Sequence, residues 1–213
     1  MLYKLQYISQ GKNADEQLEN IERVLDAGGK WIQLRCKNWS KTELIALAEK
    51  VKTLCSNYHA ILIINDDVEI AQKIDADGVH LGLEDIPVQE ARNLLGNDKI
   101  IGGTANTLQD VIRRIDERCD YIGLGPYRYT ITKQKLSPVL GIQGYTNVMQ
   151  ELKKRNLNAP VYAIGGITID DVHWLMQTGI YGIAVSGALS GYKDILTILQ
   201  KFNEKLYEKI GDC

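Results

Sequence analysis

Several polar residues in this 213-residue chain have types and spacings suited to handling phosphate. Arg35 and Lys37 stand two apart at the end of the apolar run Trp31–Leu34, so in extended backbone both side chains aim the same way. Paired cations in a chain of net charge −2 suit an anionic ligand, although two solvated loop charges would give the same pattern. Asp66, in Asn65-Asp66-Asp67, and Asp85, in Glu84-Asp85, each follow another such run. On neighbouring strands, with axes roughly 5 Å apart, they could share one hard divalent cation such as Mg2+, leaving water and a substrate phosphate to complete the octahedron. Each could instead cap the helix that follows it, and Asp67 is the better cap of its pair. Gly165-Gly166 and Ser186-Gly187 are turns able to present bare backbone N–H groups to a phosphate, or turns that simply need glycine geometry. Thr130, Thr132 and Lys133 add two hydroxyl donors and a point charge, in a composition also common on exposed loops. His80 has no triad partner and reads as structural, while His59 and His173 read as exposed. No G-x-S-x-G elbow or nucleophile–base pair is present. The set amounts to two phosphate-binding regions and a divalent cation without a general base, which suits group transfer off a diphosphate.

Placing these residues together requires a particular scaffold. Short β-branched runs recur at Tyr3–Ile8, Trp31–Leu34, Ala60–Ile64, Gly78–Leu81, Ile100–Gly102, Tyr121–Gly123, Val161–Ile164 and Gly182–Val185. Between them apolar residues recur at helical spacing, as in Leu44, Leu47, Ala48, Val51 and Leu54. Strands apolar on both faces, alternating with amphipathic helices, imply parallel pairing through right-handed crossovers. Eight units of about 27 residues make a compact α/β fold, a single (β/α)8 TIM barrel spanning residues 1–213, whereas a doubly wound sheet would leave two or three strands over. In such a barrel the polar residues above all fall at the C-terminal ends of strands, where active sites form. The segment Pro126–Leu140 is too long for a simple connection and lacks helical periodicity, which marks it as a functional loop.

Composition narrows the partners. Hydrophobic residues make up 45% and charged residues 24%, ordinary for a folded domain. The 25 Lys and Arg against 27 Asp and Glu leave no basic excess for nucleic acid. No apolar stretch approaches the roughly 18 residues of a membrane span, and the N-terminus alternates like a strand and not like a signal peptide. Four scattered cysteines without a C-x-x-C pair fit reduced thiols in a cytoplasm. A homo-oligomer is compatible with everything above.

In their order along the chain these residues resemble the thiamine-phosphate synthase family. The resemblance runs from Gln33-Leu34-Arg35-x-Lys37 through Asn65-Asp66-Asp67, Asp77-Gly78-Val79-His80-Leu81-Gly82 with Asp85, Gly123-Leu124-Gly125-Pro126 with Thr130-x-Thr132-Lys133, and Ala163-Ile164-Gly165-Gly166-Ile167, to Ser186. It implies a transferase that joins hydroxymethylpyrimidine diphosphate to hydroxyethylthiazole phosphate in a dissociative, Mg2+-dependent substitution, releasing pyrophosphate. It implies that Gln33, Arg35, Lys37, Asn65 and Lys133 hold the pyrimidine diphosphate, with Arg35, Lys37 and Lys133 catalytic. Asp66 and Asp85 would carry Mg2+, and Thr130, Thr132, Gly166, Val185 and Ser186 would bind the thiazole phosphate. Thr104 and Asn106 replace the Ser and His of the family's Ser-x-His turn, and Thr104 keeps a hydroxyl for the diphosphate; Cys36 stands for a frequent Glu and Leu83 for a frequent Gln. Competing readings are a thiazole tautomerase on the same barrel, a sugar-phosphate isomerase, and a silent barrel that only binds thiamine precursors.

Overall fold

The computed structural model describes residues 2–129 and 138–208. Thr130, Thr132 and Lys133 therefore lie outside the described residues, as does Cys213. Among the described residues eight parallel strands close into one barrel in chain order: β1 (Leu5–Ile8), β2 (Trp31–Leu34), β3 (Ile61–Asn65), β4 (Gly78–Leu81), β5 (Ile100–Ala105), β6 (Tyr121–Leu124), β7 (Val161–Ile164) and β8 (Gly182–Val185). β8 closes the barrel on β1, with Leu5 opposite Ile183 and Tyr7 opposite Val185. The expected single (β/α)8 barrel is thus the observed fold. β1 begins two residues later than its apolar run, and β5 continues to Ala105, which makes Thr104 a strand residue.

The helices between strands are α1 (Ala14–Asp26), α2 (Lys41–Asn57), α3 (Val68–Lys73), α4 (Val88–Leu95), α5 (Leu108–Asp116), α6 (Gly141–Lys154) and α7 (Val172–Gln177), followed by the short α8 (Gly187–Ser190) and α9 (Ile195–Tyr207). Local chemistry sets several starts. Ser40 and Glu43 form a reciprocal capping box on α2, and Thr107 and Asp110 form another on α5. Asp67 caps α3 by accepting from the Ile70 amide, which leaves Asp66 without that duty.

Two shells of side chains fill the molecule. Between strands and helices lie Ile32, Leu62, Val79, Ile101, Ile122 and Ile183, none exposed to solvent. Inside the barrel, Trp31 meets Tyr121 and Tyr162 edge-on, with centroids 4.9 and 5.0 Å apart. A Cβ on Gly102 would stand 2.2 Å from the Tyr121 ring, so the bare strand β5 makes room for this aromatic layer. Next to it the interior turns polar, with Gln6, Gln33 and His80 all buried and hydrogen-bonded.

Candidate active site

The C-terminal ends of the strands bring the sequence-nominated residues to one mouth. Asn65 ends β3, and Asp66 follows it with φ +67, a left-handed conformation that turns the chain toward β4. The Asp66 amide donates to the His80 carbonyl at 2.8 Å, tying this turn to the neighbouring strand. After β4, the Gly82 amide donates to Asp85 Oδ2 at 2.6 Å, so Asp85 closes its own turn, while α4 starts at Val88 without a side-chain cap. A Cβ placed on Gly82 would lie 3.1 Å from Asp85 Oδ2 and 4.0 Å from Asp66 Oδ1. Both carboxylates therefore face the one space that glycine leaves open.

The electrostatics of that mouth are opposed in sign and close together. Burial, and then the neighbouring Asp85 carboxylate, push the Asp66 carboxyl up to about 6, against the pull of Arg35 and Lys37. Burial also lowers the Arg35 guanidinium, with Asp66 working the other way, and Lys37 is lowered by burial and by Arg35. Like charges crowd on each side: carboxylate against carboxylate, cation against cation. A divalent cation would relieve the first pair and a polyanion the second. No group of three or more His, Cys, Asp or Glu side chains gathers among the described residues. Two carboxylates with open coordination positions fit Mg2+, which usually takes one or two carboxylates and leaves the rest to water and phosphate oxygens.

Beneath the mouth, Gln33 is buried and donates to Gln6 Oε1 at 3.1 Å. Thr104 sits partly exposed at the end of β5 with His80 Nε2 3.0 Å from its hydroxyl oxygen. On the far side Gly165 and Gly166 carry φ values of +97 and +69, so the turn after β7 takes a path that side chains disfavour. Val185 ends β8 buried, and Ser186 precedes α8, its hydroxyl donating to Gln10 Oε1 at 3.2 Å. The structure thus brings together Gln33, Arg35, Lys37, Asn65, Asp66, Asp85, Thr104, Gly166, Val185 and Ser186 at strand ends on one face of the barrel.

The loop after β6 is anchored at both described ends. Tyr127 and Arg128 amides donate to the Ile164 and Gly165 carbonyls at 2.9 and 3.0 Å, and the Leu140 amide donates to Pro126 O at 3.0 Å. Arg128 pairs with Asp171 and donates to Gly166 O at 3.0 Å. Burial works upward on Asp171, but Arg128 and the Thr168 amide outweigh it and leave the carboxyl below its usual range. Asn106 donates to the Gly125 and Ala105 carbonyls, which ties β5 to β6. Burial raises the Cys36 thiol to about 11, so it stays protonated and is a poor nucleophile at neutral pH.

Sequence reasoning missed Gln6, Tyr121 and Arg114. Arg114 is fully buried on α5 and donates to Gly82 O at 2.6 Å, to Thr104 O at 3.1 Å and to Glu117 at 2.7 Å. It pins the turn that carries Asp85 to the end of β5, which carries Thr104. Its only signal in the sequence is Gly103, where a Cβ would stand 2.6 Å from the Arg114 side chain.

A closed parallel barrel with paired carboxylates, paired cations and glycine turns at its C-terminal mouth is a phosphate-handling (β/α)8 enzyme in form. Comparison with known proteins specifies the family. The model of the thiamine monophosphate synthase family matches residues 5–189. The chain is 52% identical over 210 residues to the thiamine-phosphate synthase of Flavobacterium johnsoniae, covering 99% of each chain. It superposes on the thiamine phosphate pyrophosphorylase of Pyrococcus furiosus with a TM-score of 0.84 and 29% identity, covering 98% of this chain and 97% of that one. A 3-hexulose-6-phosphate synthase, at 17% identity and a TM-score of 0.71 over 96% of this chain and 100% of that one, shares the fold alone. The chain belongs to the thiamine monophosphate synthase family and is a transferase of thiamine biosynthesis. No helix among the described residues is long and apolar enough to cross a membrane.

Proposed function

We propose that this enzyme joins 4-amino-2-methyl-5-hydroxymethylpyrimidine diphosphate to 4-methyl-5-(2-hydroxyethyl)thiazole phosphate, releasing pyrophosphate and thiamine phosphate, with Mg2+ and in the cytoplasm. The observation that carries this reading is the facing pair Asp66 and Asp85 across Gly82, set in the field of Arg35 and Lys37. That arrangement suits a diphosphate chelating a cation better than it suits a single phosphate.

In the reaction the methylene C–O bond of the pyrimidine substrate breaks, and its electron pair leaves with pyrophosphate. The thiazole ring nitrogen then gives its lone pair to the cationic carbon, forming the new C–N bond. No proton has to move in either event, so cations, amides and hydroxyls suffice. When bound between Asp66 and Asp85, Mg2+ would supply charge neutralisation to the departing diphosphate. Arg35 and Lys37 attract and orient the same oxygens, and Lys133 supplies a third positive charge to them. Thr104 donates to the diphosphate, while Gln33 and Asn65 border the pyrimidine side. Gly166, Val185 and Ser186 hold the thiazole phosphate beside the last two strands, where barrels commonly bind phosphate, and Thr130 and Thr132 add hydroxyl donors to it. Binding both substrates in line supplies the remaining advantage.

The test mixes purified protein with both precursors and Mg2+ and measures thiamine phosphate and pyrophosphate. Product should form in equal amounts and vanish with EDTA or in Asp66→Ala. Absence of product above the Asp66→Ala background overturns the reading, and turnover that survives EDTA removes the metal role. Lys133→Ala should lose far more turnover than His173→Ala, and equal losses would remove the loop's role.

A further inference from the structure

Five residues from five strands form one line of hydrogen bonds through the barrel interior, ending at the mouth. Gln33 Nε2 donates to Gln6 Oε1 at 3.1 Å, and Gln6 Nε2 donates to the Tyr121 hydroxyl at 3.2 Å. The Tyr121 oxygen lies 3.1 Å from His80 Nδ1, and His80 Nε2 lies 3.0 Å from the Thr104 hydroxyl oxygen. Gln6, Gln33, Tyr121 and His80 are buried, and Thr104 alone reaches solvent.

The proton inventory of this line has a consequence. An amide NH2 can only donate, and a phenol has one proton. With Gln6 donating to it, Tyr121 spends that proton on His80 Nδ1. Nδ1 then accepts, Nε2 carries the ring proton, and that proton goes to the Thr104 oxygen. The hydrogen of Thr104 is left to point away from His80, toward the mouth. Reversing both amides would run every donor backwards and present Thr104 lone pairs to the mouth instead. A phosphate oxygen accepts and does not donate, so a bound diphosphate favours the first polarity.

Two further features keep the line in place. Burial raises the Tyr121 phenol well above its ordinary range, so it stays protonated as a fixed donor. A Cβ on Gly123 would stand 3.1 Å from His80 Cε1, so the bare strand β6 gives the imidazole its place. We propose that His80, oriented by Tyr121, is a positioning residue that fixes the Thr104 hydroxyl as a hydrogen-bond donor to the diphosphate. This rests on the function proposed above, and the tests separate the two.

The direct test is 15N NMR of the histidines in the whole enzyme with Mg2+ and inorganic pyrophosphate. His80 should show a bare Nδ1 and a protonated Nε2, and this pattern should be lost in Tyr121→Phe. A protonated Nδ1 in the unaltered enzyme overturns the proposal, whatever the enzyme catalyses. The kinetic test uses Tyr121→Phe, which keeps the ring packed on Trp31 and Tyr162 and is assayed at a temperature where its melting curve shows it fully folded. Its kcat/KM for the diphosphate substrate should fall by about tenfold or more, the scale of one hydrogen bond to a charged group, with KM for the thiazole phosphate unchanged. Thr104→Val should lose a similar factor, Thr104→Ser should restore most of it, and the Tyr121→Phe/Thr104→Val double variant should be no worse than Thr104→Val alone. Additive losses in the double variant would show that Tyr121 acts elsewhere and would overturn the proposal. Lack of any thiamine phosphate from the unaltered enzyme would count against the function alone.

Discussion

Replacing Arg114 by Met tests whether a buried cation holds the mouth together. The variant keeps most of the aliphatic stem but deletes the donors to Gly82 O and Thr104 O, at 2.6 and 3.1 Å. Each partly buried carbonyl left bare costs about 1–2 kcal/mol. Glu117 also loses Arg114, but it retains Arg113 at 2.9 Å and is a quarter exposed, so that loss adds less than about 1 kcal/mol. The sum is about 2–5 kcal/mol, which for a domain of this length lowers Tm by about 4–20 °C. Urea and thermal unfolding followed by circular dichroism measure it, with Arg113→Met as an exposed control expected within about 0.5 kcal/mol of the unaltered protein. Because the Gly82 amide holds Asp85 Oδ2, Mg2+ affinity should also weaken at temperatures where the variant is fully folded. A loss under about 1 kcal/mol, or unchanged Mg2+ affinity in the folded variant, would refute the tethering role.

Two further outcomes follow from the same geometry. The Asp66 carboxyl, raised to about 6, binds its proton more tightly than it would in the unfolded chain, so without a cation its contribution to stability declines as pH rises from about 4 through about 6. The proposed Mg2+ site needs the ionised pair, so a Tm increase from Mg2+ should be small at pH 5 and full above about pH 7, reaching about 5–11 °C at a hundredfold excess over Kd. Thermal melts across pH check this, and Asp66→Asn should remove the Mg2+ response. Gly102→Ala would place a methyl 2.2 Å from the Tyr121 ring, so the aromatic layer must shift at a cost of about 1–3 kcal/mol or more, read as a lower urea midpoint.

The elements were legible because strands and helix starts are written locally. Trp31–Leu34, Gly78–Leu81, Val161–Ile164 and Gly182–Val185 coincide with their strands residue for residue, since a short β-branched run bounded by small or polar residues has few other uses in a parallel barrel. Asp67 as the cap of α3 was equally readable from the residue and its neighbours. Asp66 and Asp85 could be nominated as a pair because both follow adjacent strands, yet each taken alone read more readily as a cap than as a ligand. The fold sets the two carboxylates facing each other across Gly82 and has Asp85 bond its own turn and not a helix, a juxtaposition that no single residue in the chain displays.

The sequence by itself determined the barrel and the residues at the strand ends, because these depend on periodicity and spacing over a few residues, and the order of its motifs carried the family resemblance. Only the tertiary structure decided which side chains meet across the interior. Gln6 and Tyr121 are 115 positions apart and come together only when β8 closes on β1 and the register turns both inward. Arg114 sits in a helix whose pattern gives no reason to bury a cation, and two distant backbone carbonyls supply that reason. His80 read as structural from its isolation in the chain. In the folded barrel it lies between Tyr121 and Thr104, where closure sets the direction of its proton.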